Sequence, residues 1–488
     1  MAITKILGAY NRLDGVFDEM MGNETVREHY ATFIKSFGNL PDSEVVLKNE
    51  LAQKLFMTQG VTFTVYSSGE GIEKIFPFDM IPRIIEAQEW AFIEAGIKQR
   101  LKALNIFLKD IYHQQFIIRD GIIPAALIYS CPNYLREMVN VNVPFDIYSH
   151  ISGIDLIRDF DGSYYVLEDN LRTPSGVSYM LENRKMSYRI FPNILPENKV
   201  LQVNDYPDIL IKNLLAIADQ KSSRPNVVLL TPGVYNSAYF EHTTLARLMG
   251  IELVEGRDLV VQNQIVYMKT SKGLKRVDVI YRRVDDEFLD PLVFRPDSVL
   301  GVPGLYHAYR KGNVAIVNAM GNGVADDKAV YSYVPDMIRY YLNEEPLLKS
   351  VPTYKMENPD ERKYAIENIR EMVVKKTNES GGYGMLIGNS ASDEEVATFI
   401  HEIEKDPRSY IAQPIIKLST APCYIDGVLQ PRRVDLRPFA LYGPDGIEIV
   451  PGGLTRVALR EGSIVVNSSQ GGGSKDTWIV DLKNSQHA

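Results

Sequence analysis

Cysteine is nearly absent. Cys131 and Cys423 are the only two in 488 residues, which excludes a disulfide framework and a cysteine-rich zinc site. Long apolar runs are missing as well. No stretch reaches the ~18 residues a membrane helix needs, and no apolar run of signal-peptide length follows the first residues. A cytoplasmic protein with no membrane partner is therefore expected. The formal net charge of −9 argues against a general nucleic-acid binder. The seven histidines show no His-Glu-x-x-His or similar metal-ligand spacing. No Ser/His/Asp or Cys/His set stands out as a nucleophilic apparatus. Nor is there a Gly-x-x-x-x-Gly-Lys-Ser/Thr phosphate loop, and Gly321-Asn322-Gly323 lacks the third glycine of a dinucleotide fingerprint.

What remains is an ordinary globular composition, 45% hydrophobic and 24% charged, in a chain long enough for two or three domains. Four regions are expected: a helical N-terminal region over 1–140, a pair of strands within 141–184, an α/β unit over 185–324 and a further domain over 325–488. Apolar residues at helical spacing, among them Ile85, Phe92, Ile97, Leu101 and Leu108, predict one helix over 82–112, or two with a break near Gly96. Residues 226–230, 242–249 and 251–254 read as strand, helix and strand, a βαβ-like unit to which 277–281 and 314–317 add strands. Beyond Asp326, helices are expected over 328–342 and 358–372, then a strand over 372–376.

The chemistry centres on residues 162–176. Tyr164, Tyr165, Val166 and Leu167 predict a buried strand, and Pro174 and Gly176 mark its exit into a loop. Side chains alternate along a strand, so Glu168 and Asn170 share a face and offer hard oxygen donors suited to Mg²⁺. Asp155 lies on a preceding strand across the turn-forming Asp159–Gly162 segment, so an antiparallel hairpin would bring it towards Glu168 and Asn170. Far downstream, Lys375 lies on the 372–376 strand, which is followed by the loop 377–384, with Ser380, Gly381, Gly382 and Gly384. Such glycines expose backbone N–H groups to a polyphosphate while the lysine neutralises it.

Together these pieces resemble the ATP-grasp ligases. The resemblance implies that Lys328 and Lys375 contact the nucleotide phosphates, that 381–384 is the mobile phosphate loop, and that 410–413, ending at Gln413, meets adenine. It likewise implies Asp155, Glu168 and Asn170 as magnesium ligands, with ATP and Mg²⁺ as cofactors. In ordinary members the metal strands follow the nucleotide loop, whereas here they precede it. That order is similar to the circularly permuted ATP-grasp family, in its bacterial branch related to glutathionylspermidine synthetase. Phrases at 168–184, 434–439 and 467–478 carry the likeness. The fold implied is α/β and circularly permuted, with a βαβ pre-ATP-grasp-like domain.

One position departs from the pattern. The superfamily commonly carries an arginine two residues before the metal-binding aspartate, and this chain has Gly153. Arg437 is the proposed replacement, since in 433–437 Asp435 and Arg437 share a strand face. Arg172 and Arg456 are the reserve candidates. The activity implied is an ATP- and Mg²⁺-dependent carboxylate–amine ligase working through an acyl phosphate, with a small-molecule or peptide carboxylate and an amine as substrates. A phosphotransferase on the same fold and a nucleotide-binding scaffold without turnover are the alternatives.

Overall fold

The computed structural model describes residues 10–67, 70–218, 224–378, 384–463, 465–466 and 472–482. Its frame is a ten-stranded sheet. Across its main path run Lys349–Ser350, Tyr164–Asn170, Ile151–Arg158, Val428–Arg437, Leu454–Val457, Gly473–Val480 and Phe78–Glu86. The two strands expected to carry metal ligands are thus interior neighbours in one sheet with strands from the C-terminal region. Residues 325–488 are divided accordingly between this sheet and a smaller one.

The N-terminal region is not purely helical. Helices Glu28–Gly38 and Asp42–Thr58 are followed by the paired strands Thr62–Ser67 and Glu70–Ile75, and then by Phe78–Glu86, which joins the large sheet parallel to Gly473–Val480. Pro82, expected to open a helix, lies inside that strand instead. The pairing shifts register beside it, between Lys475 and Thr477, and such an irregularity is where a residue without an N–H is tolerated. The helix itself runs unbroken from Ala87 to Tyr112. Gly96 does not interrupt it but admits Leu348, whose Cγ would lie 2.4 Å from a Cβ at that position. From the same helix the buried Arg100 forks Asp169, with Nε and Nη2 each 2.7 Å from a carboxylate oxygen. That pairing takes Asp169 to one face of its strand and leaves Glu168 and Asn170 to the other.

The α/β unit is a four-stranded parallel sheet in the order Glu252–Val254, Val227–Leu230, Val279–Arg282, Ala315–Val317. Its first strand is central, so the chain leaves in opposite directions on either side. A crevice at the carboxyl ends of the strands is the usual consequence. A three-stranded antiparallel sheet over Leu259–Arg276 is inserted beside it. The smaller antiparallel sheet takes Tyr354–Lys355, Tyr410–Pro414, Met372–Lys376 and Met385–Ile387. Its own core includes Met372, Val374, Leu386 and Ala412. The helix expected over 328–342 is two, Lys328–Tyr331 and Val334–Leu342, and that over 358–372 stops at Glu367 before a short 3-10 turn. No helix among the described residues is long and apolar enough to cross a membrane.

Candidate active site

Ile151–Arg158 and Tyr164–Asn170 pair antiparallel, with Asp155 opposite Glu168 and Gly153 opposite Asn170. The turn between them closes through Gly162, which adopts φ +85° and lies so near Phe17 that a Cβ would meet its ring at 2.9 Å. Asp155 is buried, whereas the Glu168 side chain stays 29% exposed. Asn170 Nδ2 donates to Glu168 Oε1 at 3.5 Å.

Across the sheet, two arginines converge on Asp155. Arg437 forks it, with Nη2 donating to Oδ2 at 2.7 Å and Nε to Oδ1. Arg456 Nη2 donates to the same Oδ2 at 2.7 Å and is itself bound to Asp435, directly opposite in the Val428–Arg437 strand. Burial alone would raise the Asp155 pKa; the two guanidiniums outweigh it and hold the carboxyl well below the usual range. The position of Gly153 now has a steric reason. A Cβ there would stand 3.2 Å from Arg437 Cδ and 3.4 Å from its Cγ. Glycine leaves room for the stem by which Arg437 reaches Asp155.

Two lysines face this cluster from other segments. Lys328 opens a helix capped by Asp327, whose Oδ1 accepts from Ala329 N at 2.8 Å. Its Nζ is 4.0 Å from Glu168 Oε2. Lys375 comes from the small sheet and donates to Gln413 Oε1 at 2.8 Å, and Gln413 Nε2 donates to Thr353 Oγ1. Burial, only partly offset by Glu168 and reinforced by Lys328, brings the Lys375 pKa down to about 8. Gln413 therefore sits beside the lysine. Ser380, Gly381 and Gly382 lie outside the described residues, and Gly384, at φ +63°, precedes the Met385–Ile387 return strand.

Arg172 pairs with a different carboxylate from Arg437. Its Nε donates to Asp326 Oδ2 at 2.8 Å, and Asp326 Oδ1 accepts from Leu171 N at 2.6 Å. The Gly321-Asn322-Gly323 turn packs these parts together: a Cβ on Gly321 would meet Tyr112 Oη at 2.5 Å, and one on Gly323 would meet Arg172 Cδ at 2.6 Å. Asn318 was not legible as a site residue. Its Oδ1 accepts from His150 N and Ile151 N, and its Nδ2 donates to Ile151 O, Leu171 O and Arg172 O. It thereby ties the start of the Ile151–Arg158 strand to the exit of the Tyr164–Asn170 strand. Arg283 anchors the next stretch of that exit, donating to Pro174 O at 2.6 Å, while Ser175 O accepts from Arg437 Nη1 at 3.1 Å. A lone asparagine after a strand gives no sequence signal for such a role, because its partners are distant in the chain.

Comparison with known proteins bears on the fold and on the family. A glutathione synthetase-like effector of Globodera pallida, solved without ligand, shares the fold with a TM-score of 0.56 at 11% identity, over 91% of this chain and 98% of that one. An uncharacterised protein of Synechocystis sp. is 53% identical over 93% of this chain and 94% of its own length. A Frankia casuarinae protein provisionally named a glutamate–cysteine ligase is 42% identical over 86% of this chain, which spans only 48% of that protein. Residues 82–458 match the family profile described as circularly permuted ATP-grasp type 2, and the chain belongs to that family.

Proposed function

We propose that this protein is an ATP- and Mg²⁺-dependent ligase that joins a carboxylate to an amine through an acyl phosphate. The observation that carries the reading is the convergence of Lys328 and Lys375 on Glu168. Two ammonium groups near enough for one to depress the other's pKa make a place for a polyanion. The provisional ligase name of the Frankia relative supports the same reaction type.

Glu168 and Asn170 suit magnesium by donor chemistry, since both offer hard oxygens and Glu168 remains accessible. Asp155, the third residue of the expected set, has both oxygens taken by guanidinium groups. In this arrangement it orients Arg437. Bound magnesium would neutralise phosphate charge; the remaining work falls to side chains. Lys328 and Lys375 hold the triphosphate while the substrate carboxylate attacks the γ-phosphorus and ADP leaves. The amine then adds to the acyl carbon, loses a proton, and expels phosphate. Arg437, with a planar fork matched to phosphate oxygens, stabilises the anionic intermediate.

Calorimetry of Mg·ATP binding tests this reading. Lys375→Met and Lys328→Met are each expected to weaken ATP binding by roughly tenfold or more, as for loss of a charge-assisted contact, and unchanged affinity in both variants would sink it. Release of ADP that requires both a carboxylate and an amine marks a ligase. Release without the amine marks a phosphotransferase, and tight binding without release marks a scaffold.

A pH dependence follows from Lys375. In the free protein it is charged below about 8 and neutral above, and triphosphate favours the charged form. ATP binding therefore takes up a proton at higher pH, and affinity is expected to fall by up to about tenfold per unit above that value. The Lys375→Met variant should lose this slope; a wild-type affinity that is flat from pH 7 to 9 would contradict the assignment.

A further inference from the structure

We propose that Arg408 is a positioning residue that holds Lys328 in place for the nucleotide phosphates; this deepens the ATP-dependent reading and rests on it. Arg408 sits in the short 3-10 turn Pro407–Ser409, immediately before the Tyr410–Pro414 strand of the small sheet. Its guanidinium reaches out of that sheet. Nη2 donates to Asp327 Oδ2 and to Leu127 O, each at 3.0 Å. Nη1 donates to Thr377 Oγ1 at 3.3 Å, and Nε to Ser130 Oγ at 3.1 Å. Leu127 and Ser130 belong to the N-terminal region, Asp327 immediately precedes Lys328, and Thr377 follows the Met372–Lys376 strand. One planar fork thus joins segments that lie far apart in the sequence.

Two of those contacts bear on Lys328. The Asp327 carboxylate is fully buried, and its work is divided between its oxygens. Oδ1 accepts from Ala329 N and Val330 N, which caps the helix Lys328–Tyr331, while Oδ2 accepts from Arg408. On the other side, Lys328 N donates to Thr377 O at 3.1 Å, and the hydroxyl of the same Thr377 accepts from Arg408. One guanidinium therefore fixes both the residue before Lys328 and the residue that its backbone holds. From that anchored stem the Lys328 side chain extends to within 4.0 Å of Glu168. A flexible lysine loses less binding energy to ordering when its stem is already held. The Arg408 hydrogen bonds go to none of Glu168, Asn170 and Lys375 among the described residues, so its effect on the nucleotide passes through Lys328. A purely structural ion pair would lower stability without choosing between the two lysines.

The test is calorimetry of Mg·ATP binding by the full chain in wild type, Lys328→Met and Lys375→Met backgrounds. In wild type, Arg408→Gln is expected to weaken ATP binding by roughly fivefold or more, the loss not exceeding that of Lys328→Met. In the Lys328→Met background the same change should have no further effect, because the group it positions is gone. In the Lys375→Met background the full loss should persist. Such selective non-additivity marks two residues that act as a unit. Thermal unfolding of each variant reports that the fold is intact. Thr377→Val removes one hydroxyl while keeping the side-chain shape; it should give the same pattern at smaller amplitude, and it carries the test if Arg408→Gln does not fold. Unchanged ATP affinity in Arg408→Gln, or an equal loss in all three backgrounds, overturns the proposal. So does a loss in Arg408→Gln when Lys328→Met itself costs nothing, an outcome that leaves Lys375 and the nucleotide site standing. Failure of the wild type to bind ATP would instead remove the reading on which the proposal rests, and the proposal with it.

Discussion

Asp155→Ala is expected to destabilise the protein by about 3–5 kcal/mol, the scale for removing one partner from a buried ion pair. Asp155 is 1% exposed and is the shared acceptor of Arg437 and Arg456. Without it Arg437 keeps only Ser175 O and, at 3.9 Å, Glu168 among the described residues, while Arg456 retains Asp435. Denaturant unfolding of the variant measures the loss. The same carboxylate gives the loss a pH signature. Its folded pKa lies below the ordinary 3.8, so its stabilisation is complete above that value and disappears as pH falls below it. Wild type and Asp155→Ala should therefore approach one another in stability under acid. A variant as stable as wild type at pH 7 would show that the arginine pair needs no counter-charge.

Arg437→Ala is expected to lower kcat by roughly 10²-fold or more, the usual scale for an oxyanion stabiliser, with ATP affinity little changed. A purely structural arginine would behave differently, reducing stability with kcat preserved in the folded fraction. The steric link to Gly153 adds a second measurement. In wild type, a side chain at 153 crowds both the Arg437 stem and Pro174, since even a Cβ comes within 3.2 Å of each. Removing that stem should make Gly153→Arg better tolerated in the Arg437→Ala background than alone. The two changes would then be non-additive, as expected of residues in direct contact. Additive effects on stability and kcat would dissociate the two positions.

Much of this arrangement was legible because it is local. The Asp155 and Glu168 strands are joined by a short turn, and alternation alone puts Glu168 and Asn170 on one face. The parallel sheet announced itself through short apolar strands separated by a helix that ends at Gly250. What could not be read rests on pairings between distant residues. Nothing near Asp155 reveals that Arg437 and Arg456, hundreds of positions away, both occupy its oxygens. Phe78–Glu86 is almost wholly buried and so lacks the alternation that marks a half-exposed strand. Pro82 obscured it further. The exit loop at 171–175 owes its placement to Asn318, Asn322 and Arg283, from segments that follow strands whose identity as one sheet was visible but whose side-chain contacts were not.

The most direct test of the nucleotide site is a crystal structure with magnesium and a non-hydrolysable ATP analogue. The triphosphate is expected between Lys328 and Lys375, with magnesium at Glu168 and Asn170 and the Arg437 guanidinium within reach of the γ-phosphate. A nucleotide bound elsewhere, with both lysine ammonium groups turned away from it, would contradict the account.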